Sequence, residues 1–210
     1  MNTGARCLSV LLTGLLVAAC NAGAPPPPGE SDYAGRLQAA RTAKDEAFRS
    51  SPNEPVPPHL MDQLVPLSYF SPDLDFVVPA SLKLSGERIV VDMPTSTGEM
   101  RKEEQVGVLE FTLKGRPLAL AAFVEAGADV NRLFVPFSDL TSGTETYPAG
   151  RYLDLDRTST GLYTIDFNKA YNPYCYYNPK FDCPYPPKEN RLPLPVRAGE
   201  RVPSSKPAGN

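Results

Sequence analysis

Beyond residue 86 the apolar positions recur at every second residue. Ile89, Val91 and Met93 share one face of the stretch from Arg88 to Met93. Leu109, Phe111 and Leu113 alternate with Glu110 and Thr112, Lys114-Gly115 reads as a turn, and Leu118, Leu120, Ala122 and Val124 alternate on the return. Leu133 to Phe137 is continuously apolar, the pattern of a strand buried on both faces. Tyr147 to Leu155 and Leu162 to Phe167 flank the polar stretch Asp156 to Gly161 and predict a hairpin. One segment has the helical period instead. Tyr33, Leu37, Ala40, Ala43 or Lys44, and Ala47-Phe48 recur at three and four residues, with Arg36, Arg41 and Glu46 off that stripe. Ser31 or Asp32 would cap this helix and Pro52 would end it. Residues 51 to 72 form a proline-punctuated wrap. The expected fold is mainly β: a sandwich or partly closed barrel of short antiparallel strands, with one N-terminal helix packed on it.

The first nineteen residues follow a different pattern. Arg6 precedes an apolar run from Leu8 to Val17, and small residues, Ala18-Ala19, stand before Cys20. A spanning helix needs about 20 apolar residues, so this run reads as the core of an export signal. Leu16-Val17-Ala18-Ala19-Cys20 resembles the bacterial lipobox, which implies a signal peptide at 1–19 and a lipid on Cys20. Residues 20–32 then form a tether, because Pro25 to Pro28 favour extended polyproline II and bury nothing. Asn21 after the cysteine implies, by resemblance to lipoprotein sorting, the periplasmic face of the outer membrane if the cell is Gram-negative. A single domain occupies 33–205.

Composition removes several functions. Net charge is −3 and no Lys/Arg run exists, which argues against nucleic acid as a partner. The 24 prolines, twice the ~5% norm, argue against long helices after residue 52. The only histidine, His59, sits in Pro55-Val56-Pro57-Pro58-His59, a loop-like setting. A Ser-His or Cys-His triad, or a zinc site with two histidines, has no other residue to use. No cofactor or metal is expected.

From Phe134 the sequence becomes specific. It reads Phe134-Val135-Pro136-Phe137, Glu145-Thr146-Tyr147, Gly150-Arg151-Tyr152-Leu153-Asp154, Asp166-Phe167-Asn168, Ala170-Tyr171-Asn172-Pro173, Glu189-Asn190-Arg191 and Ala198-Gly199-Glu200, with Arg41, Lys44-Asp45, Phe48 and Tyr69-Phe70 upstream. This order resembles the bacterial and archaeal domain of unknown function 1684 (DUF1684), over roughly residues 36 to 201. The resemblance implies membership and no activity. It also implies no motif histidine, in keeping with an incidental His59.

The candidate functional cluster is Glu145, Tyr147, Arg151, Asp166, Asn168, Tyr171, Asn172, Asn190 and Arg191. Arg151 shares a face with Leu153 and Leu155, the expected core face, where an arginine is costly without a carboxylate. A hairpin places Asp166 opposite it, so an Arg151–Asp166 pair is expected, with Glu145 or Asn168 nearby. A structural ion pair is the favoured role, and ligand binding or catalysis the other. Asp139, Glu145, Asp154, Asp156 and Asp166 supply carboxylates for a glycosidase-type pair, but only spatial separation would identify one. A calcium loop at Asp154 to Thr158 lacks the glycine that an EF-hand needs at Ser159.

Cys175 and Cys183 favour a disulfide over a reactive thiol or metal ligand, given an oxidising envelope. Closing that loop would contribute on the order of 2.5 kcal/mol. Tyr171, Tyr174, Tyr176, Tyr177, Phe181 and Tyr185 beside amide side chains would suit a sugar or peptide platform, although packing of an irregular loop explains them as well. Two functions follow. One is a membrane-anchored envelope module binding a glycan, peptide or protein. The other is a histidine-free hydrolase or transferase using arginine and carboxylate groups, with or without a cysteine.

Overall fold

The computed structural model describes Met1 and residues 30–127 and 132–203. The leader, Cys20 and the proline run lie outside the described residues. Six strands form one antiparallel sheet: β1 (Val77–Pro94), β2 (Met100–Leu113), β3 (Arg116–Glu125), β4 (Arg132–Phe137), β5 (Arg151–Asp156) and β6 (Leu162–Asp166). Their order is β5-β4-β3-β2-β1-β6, a five-strand meander whose first strand also receives β6. The sheet curls into a nearly closed barrel, with α1 (Glu30–Ser50) packed on it. Single-turn helices α2 (Met61–Leu64) and α3 (Tyr174–Tyr177) lie in the connections.

The expected hairpin of β5 with β6 does not form. β5 pairs with β4, from Arg132 opposite Asp156 to Phe137 opposite Arg151. β6 pairs with β1, from Val77 opposite Asp166 to Ser81 opposite Leu162. β5 thereby gains a full-length ladder on β4 and β6 one on the long β1, and the two become edges facing each other across an open seam. The 157–161 loop carries the chain over that seam, where Thr158 Oγ1 donates to the Leu162 carbonyl at 2.9 Å.

The β2–β3 hairpin matches the sequence pattern. Lys114 (φ 49°) and Gly115 (φ 75°) both sit at positive φ, the backbone a two-residue hairpin turn demands. Leu109, Leu113, Leu120 and Ala122 point inward, joined by Leu133, Val135 and Phe137 from β4, and by Leu153, Leu155 and Ile165 from the edges.

Strict alternation breaks in β2. Gln105 lies opposite Phe123 and Gly107 opposite Ala122, so Val106 is an extra residue and forms a bulge. A bulge exchanges inward and outward positions. Leu109 is inside the barrel, whereas Glu103, an even number of residues away, is outside and directly opposite Glu125. Glycine is required at 107, because a Cβ there would lie 2.2 Å from the Lys83 carbonyl oxygen.

A final extended segment completes the core. Leu192, Leu194, Val196 and Ala198 are buried, while Pro193, Pro195 and Arg197 between them are exposed. At its start, Asn190 replaces a missing ladder. Among the described residues β3 and β4 register at Phe123 opposite Phe134 alone, and the Asn190 carboxamide fills the gap beside that pair. Its Oδ1 accepts from Ala121 N (2.7 Å), and its Nδ2 donates to the carbonyls of Ala121 (2.9 Å) and Pro136 (2.7 Å).

The helix stripe also needs correction. Leu37, Arg41 and Phe48 are buried, whereas Ala40, Ala43 and Ala47 are exposed. Arg41, expected off the stripe, faces the barrel. It donates to the Phe70 carbonyl at 3.1 Å and lies over the Tyr69 ring, 4.2 Å from its centroid. An amphipathic side chain of this length can cross apolar packing and still place its charge on backbone oxygens.

Candidate functional site

Arg151 is on the core face, as its neighbours predicted, and is 1% exposed. Its carboxylate partner is Asp139, not Asp166: Arg151 Nη2 donates to Asp139 Oδ2 at 2.9 Å. The same guanidinium donates to the carbonyls of Val196 (2.8 Å), Ala198 (2.5 Å) and Glu200 (3.0 Å). Asp139 Oδ1 accepts in turn from Thr141 N and Oγ1 and from Val196 N. The pair is a sealed clamp that fastens the C-terminal segment to the barrel, with no opening for a substrate.

Asp166 lies away from Arg151 because β6 alternates the other way. Tyr163 and Ile165 point inward, and Asp166 faces outward under α1. There its Oδ1 accepts from Tyr33 OH (2.9 Å) and from Asn168 N (3.1 Å). Asn168 ties this turn to Asp73 through two further bonds. Glu145 pairs with Arg197 at the surface, Tyr147 stacks on Tyr176, and Arg191 is exposed. The predicted cluster is thus divided among several local structural tasks, with Asn190 serving the β3–β4 gap.

Glu200, quoted in the sequence pattern but given no role, gathers many of the remaining residues. It is 1% exposed. Oε2 accepts from Tyr177 OH (2.5 Å) and Asn172 N (2.8 Å), and Oε1 accepts from Tyr69 OH (3.4 Å) and pairs with Lys44 of α1. One carboxylate therefore joins the helix, the wrap and the α3 loop. Among the described residues the buried Asn172 carboxamide has no hydrogen-bond partner.

A cleft of about 570 Å³ opens on the outer face of the sheet, within the usual range for a small-molecule site. Its floor is Arg101 and Glu103 of β2, Glu125 of β3, Phe134 of β4, and Tyr152 and Asp154 of β5. The segment from Tyr171 to Pro184 forms its wall, through Tyr171, Tyr174, Phe181 and Asp182, and Lys44 reaches in from α1. The rings hold one another edge to face: Phe134–Tyr152 at 4.8 Å, Tyr152–Tyr171 at 5.8 Å and Tyr174–Phe181 at 5.1 Å between centroids. Backbone bonds between Tyr152 and Tyr171 in both directions fix wall to floor. Tyr152 OH donates to the Pro184 carbonyl at 2.5 Å.

Both cations of the cleft are paired, Lys44 with Glu200 and Arg101 with Asp182. Arg101 Nη2 donates to the Asp182 carbonyl (2.8 Å) and to Asp182 Oδ2 (3.1 Å), and Tyr171 OH donates to Asp154 Oδ2 (2.9 Å). Glu103 differs. It is 4% exposed, and among the described residues it has no hydrogen-bond or ion-pair partner. Burial raises its carboxyl to about 7; Arg101 opposes that rise and Glu125 adds to it. Glu103 is thus a buried carboxyl of the cleft with no ion-pair partner among the described residues.

The sequence profile of the protein family described as "Protein of unknown function (DUF1684)" matches residues 63–201, which include the whole barrel, the cleft wall and Glu200. The chain belongs to the DUF1684 family. A solution NMR structure of an uncharacterized protein from gene locus rrnAC0354 of Haloarcula marismortui is 40% identical, covering 82% of this chain and 95% of that one, with a TM-score of 0.66. No functionally curated protein matches the chain.

Of the residues singled out in the DUF1684 pattern, Lys44, Phe134, Tyr152, Asp154 (one of the candidate carboxylates), Tyr171 and Pro173 line the cleft, whereas Glu145, Arg151, Asp166 and Asn190 do not. Arg101, Glu103 and Glu125 have no sequence motif, and the bulge hid their common face. Cys175 and Cys183 come together, and both are free thiols in this structure. Cys175 N donates to Cys183 Sγ at 3.2 Å. Hydrogen bonding from Cys183, helped by Ser96 and Tyr147, lowers the Cys175 thiol to about 6 against the effect of burial, and the Cys183 thiol is raised. Among the described residues no group of three or more His, Cys, Asp or Glu side chains is arranged to hold a metal ion, and no helix is long and apolar enough to cross a membrane.

Proposed function

We propose that this DUF1684 protein is a lipid-anchored envelope module that binds a small ligand in the cleft over β2 to β5. The observation that carries the binding reading is Glu103: a buried, unpartnered carboxyl at the floor of an aromatic-walled cavity. The anchor rests on the sequence before Cys20, and the envelope in turn supports a Cys175–Cys183 disulfide, since the two cysteines already adjoin. That bond would tie α3, and with it Tyr174, to the strip carrying Asp182, fixing the cleft wall.

Intact-mass spectrometry of the protein extracted from membranes tests both covalent claims. The expected mass lacks residues 1–19, carries acyl chains lost in Cys20→Ser, and is short of two hydrogens that reductant restores. A cytosolic chain with an intact N-terminus would overturn the anchor. NMR mapping of a fragment library on the detergent-solubilised protein tests the binding site. Perturbations should centre on Arg101, Glu103, Phe134 and Tyr152. Hits confined to the β5–β6 seam or to the surface around Glu145 would place binding elsewhere.

A second reading has one observation in its favour. A carboxyl that is half-protonated near pH 7 beside a second carboxyl, Glu125, is also what a histidine-free hydrolase needs as its acid. Turnover of a ligand found in the fragment screen, abolished in Glu103→Gln, would establish that reading over simple binding.

A further inference from the structure

The charge arrangement of the cleft says what kind of ligand fits. Of its two cations, Arg101 is held by Asp182 and Lys44 by Glu200, a residue outside the cleft lining. Among the described residues no cation pairs with Glu103, Glu125 or Asp154. Among the described residues the Asp154 carboxylate accepts from the Tyr171 hydroxyl alone. Glu103 and Glu125 stand directly opposite each other on neighbouring strands, where like charges repel. The other cross-strand neighbour of Glu103, Val91 of β1, is apolar and offers no compensation. Among the described residues the cleft thus holds three carboxyl groups in no ion pair, with Arg101 only partly offsetting Glu103, and much of its remaining lining is the rings of Phe134, Tyr152, Tyr171, Tyr174 and Phe181.

We propose, resting on the binding reading above, that the cleft recognises an organic cation: a primary or quaternary ammonium group seated between Glu103 and Glu125, with its apolar body against the aromatic wall. Carboxylates supply the charge and aromatic rings supply both apolar contact and cation–π attraction. A neutral sugar would use the rings but leave the carboxylates repelling each other. An anion would meet them head on.

The groups facing Glu103 are Arg101 on its own strand, Glu125 on β3, Asp154 on β5, Lys44 on α1, and Asp182 with Cys183 on the wall. Arg101 and Lys44 are already neutralised, so the titration that matters is that of Glu103 itself. An ammonium ion binds only where Glu103 is ionised. Apparent affinity therefore scales with the ionised fraction, and should rise roughly tenfold between pH 6 and pH 8 for a group titrating at about 7.

Calorimetric titration of the full-length, detergent-solubilised protein with choline and with benzylamine, at both pH values, tests this. Methyl glucoside is the neutral comparison. Binding of either amine, stronger at pH 8, with proton release at pH 6 and loss of both effects in Glu103→Gln, is the expected result. A carbon-13 NMR titration of the Glu103 carboxyl in the unmutated protein gives a readout independent of the variant's folding; its midpoint should fall when amine is added. Methyl glucoside bound in the cleft, with amines excluded or indifferent to Glu103→Gln, would overturn the cation assignment while leaving the cleft a binding site. Fragment hits that all lie outside the cleft would instead remove the reading on which it rests.

Discussion

Replacing Arg151 by methionine is expected to lower the unfolding free energy by about 4 kcal/mol, since removing one partner of a buried ion pair strands the other charge. Asp139 would be left buried beside apolar atoms, and three carbonyls of the segment from Val196 to Glu200 would lose their donor. Urea denaturation followed by circular dichroism measures the loss, and a midpoint temperature lower by about 12 °C should accompany it. Arg151→Lys should recover only part of the stability. A single ammonium cannot reproduce a planar fork that addresses a carboxylate and three carbonyls together. The Asp139→Asn variant, which keeps the shape and removes the charge, should be coupled to Arg151→Met in a double-mutant cycle. Additivity of the two would show that the pair does not act as a unit, and would count against the clamp.

Glu200→Ala should cost about 3 kcal/mol by a different route. Tyr177 OH and Asn172 N are buried donors that lose their acceptor, each at roughly 1–3 kcal/mol. Lys44, only partly exposed, loses its counter-ion. Glu200→Gln should cost less, because its carbonyl oxygen can still accept from one of the two donors. Hydrogen exchange gives the local check. The Asn172 amide should exchange much faster in Glu200→Ala, while amides of the Leu109–Leu120 region change only with global stability. Equal acceleration everywhere would mean that Glu200 is not a local hub.

How far the sequence could be read depended on whether the local pattern survived long-range pairing. The β2–β3 hairpin was legible because turn residues and alternation agree, and the pairing is between chain neighbours. Buried Arg151 was legible from its face on β5. Its partner was not, because Asp139 and Asp166 are equally plausible in sequence and only the ladder on β1 turns Asp166 outward. Glu103 was invisible for a sharper reason. One extra residue at Val106 exchanges the two faces of β2, and strict alternation from Leu109 assigns Glu103 to the wrong side of the sheet. Leu192, Leu194, Val196 and Ala198 do alternate, but Pro193 and Pro195 between them argue against a strand and conceal the pattern.

The C-terminal segment has a consequence for how the domain holds together. Residues 192–200 deliver apolar side chains to the barrel core, the acceptors for Arg151 and the carboxylate on which α1 docks. They are also the last of these parts along the chain. Without them Arg151 would lose three carbonyl acceptors, Lys44 its counter-ion, and the core four of its residues. The two ends of the domain are thus coupled, and a chain cut before residue 192 should lose the docking of α1 together with the core.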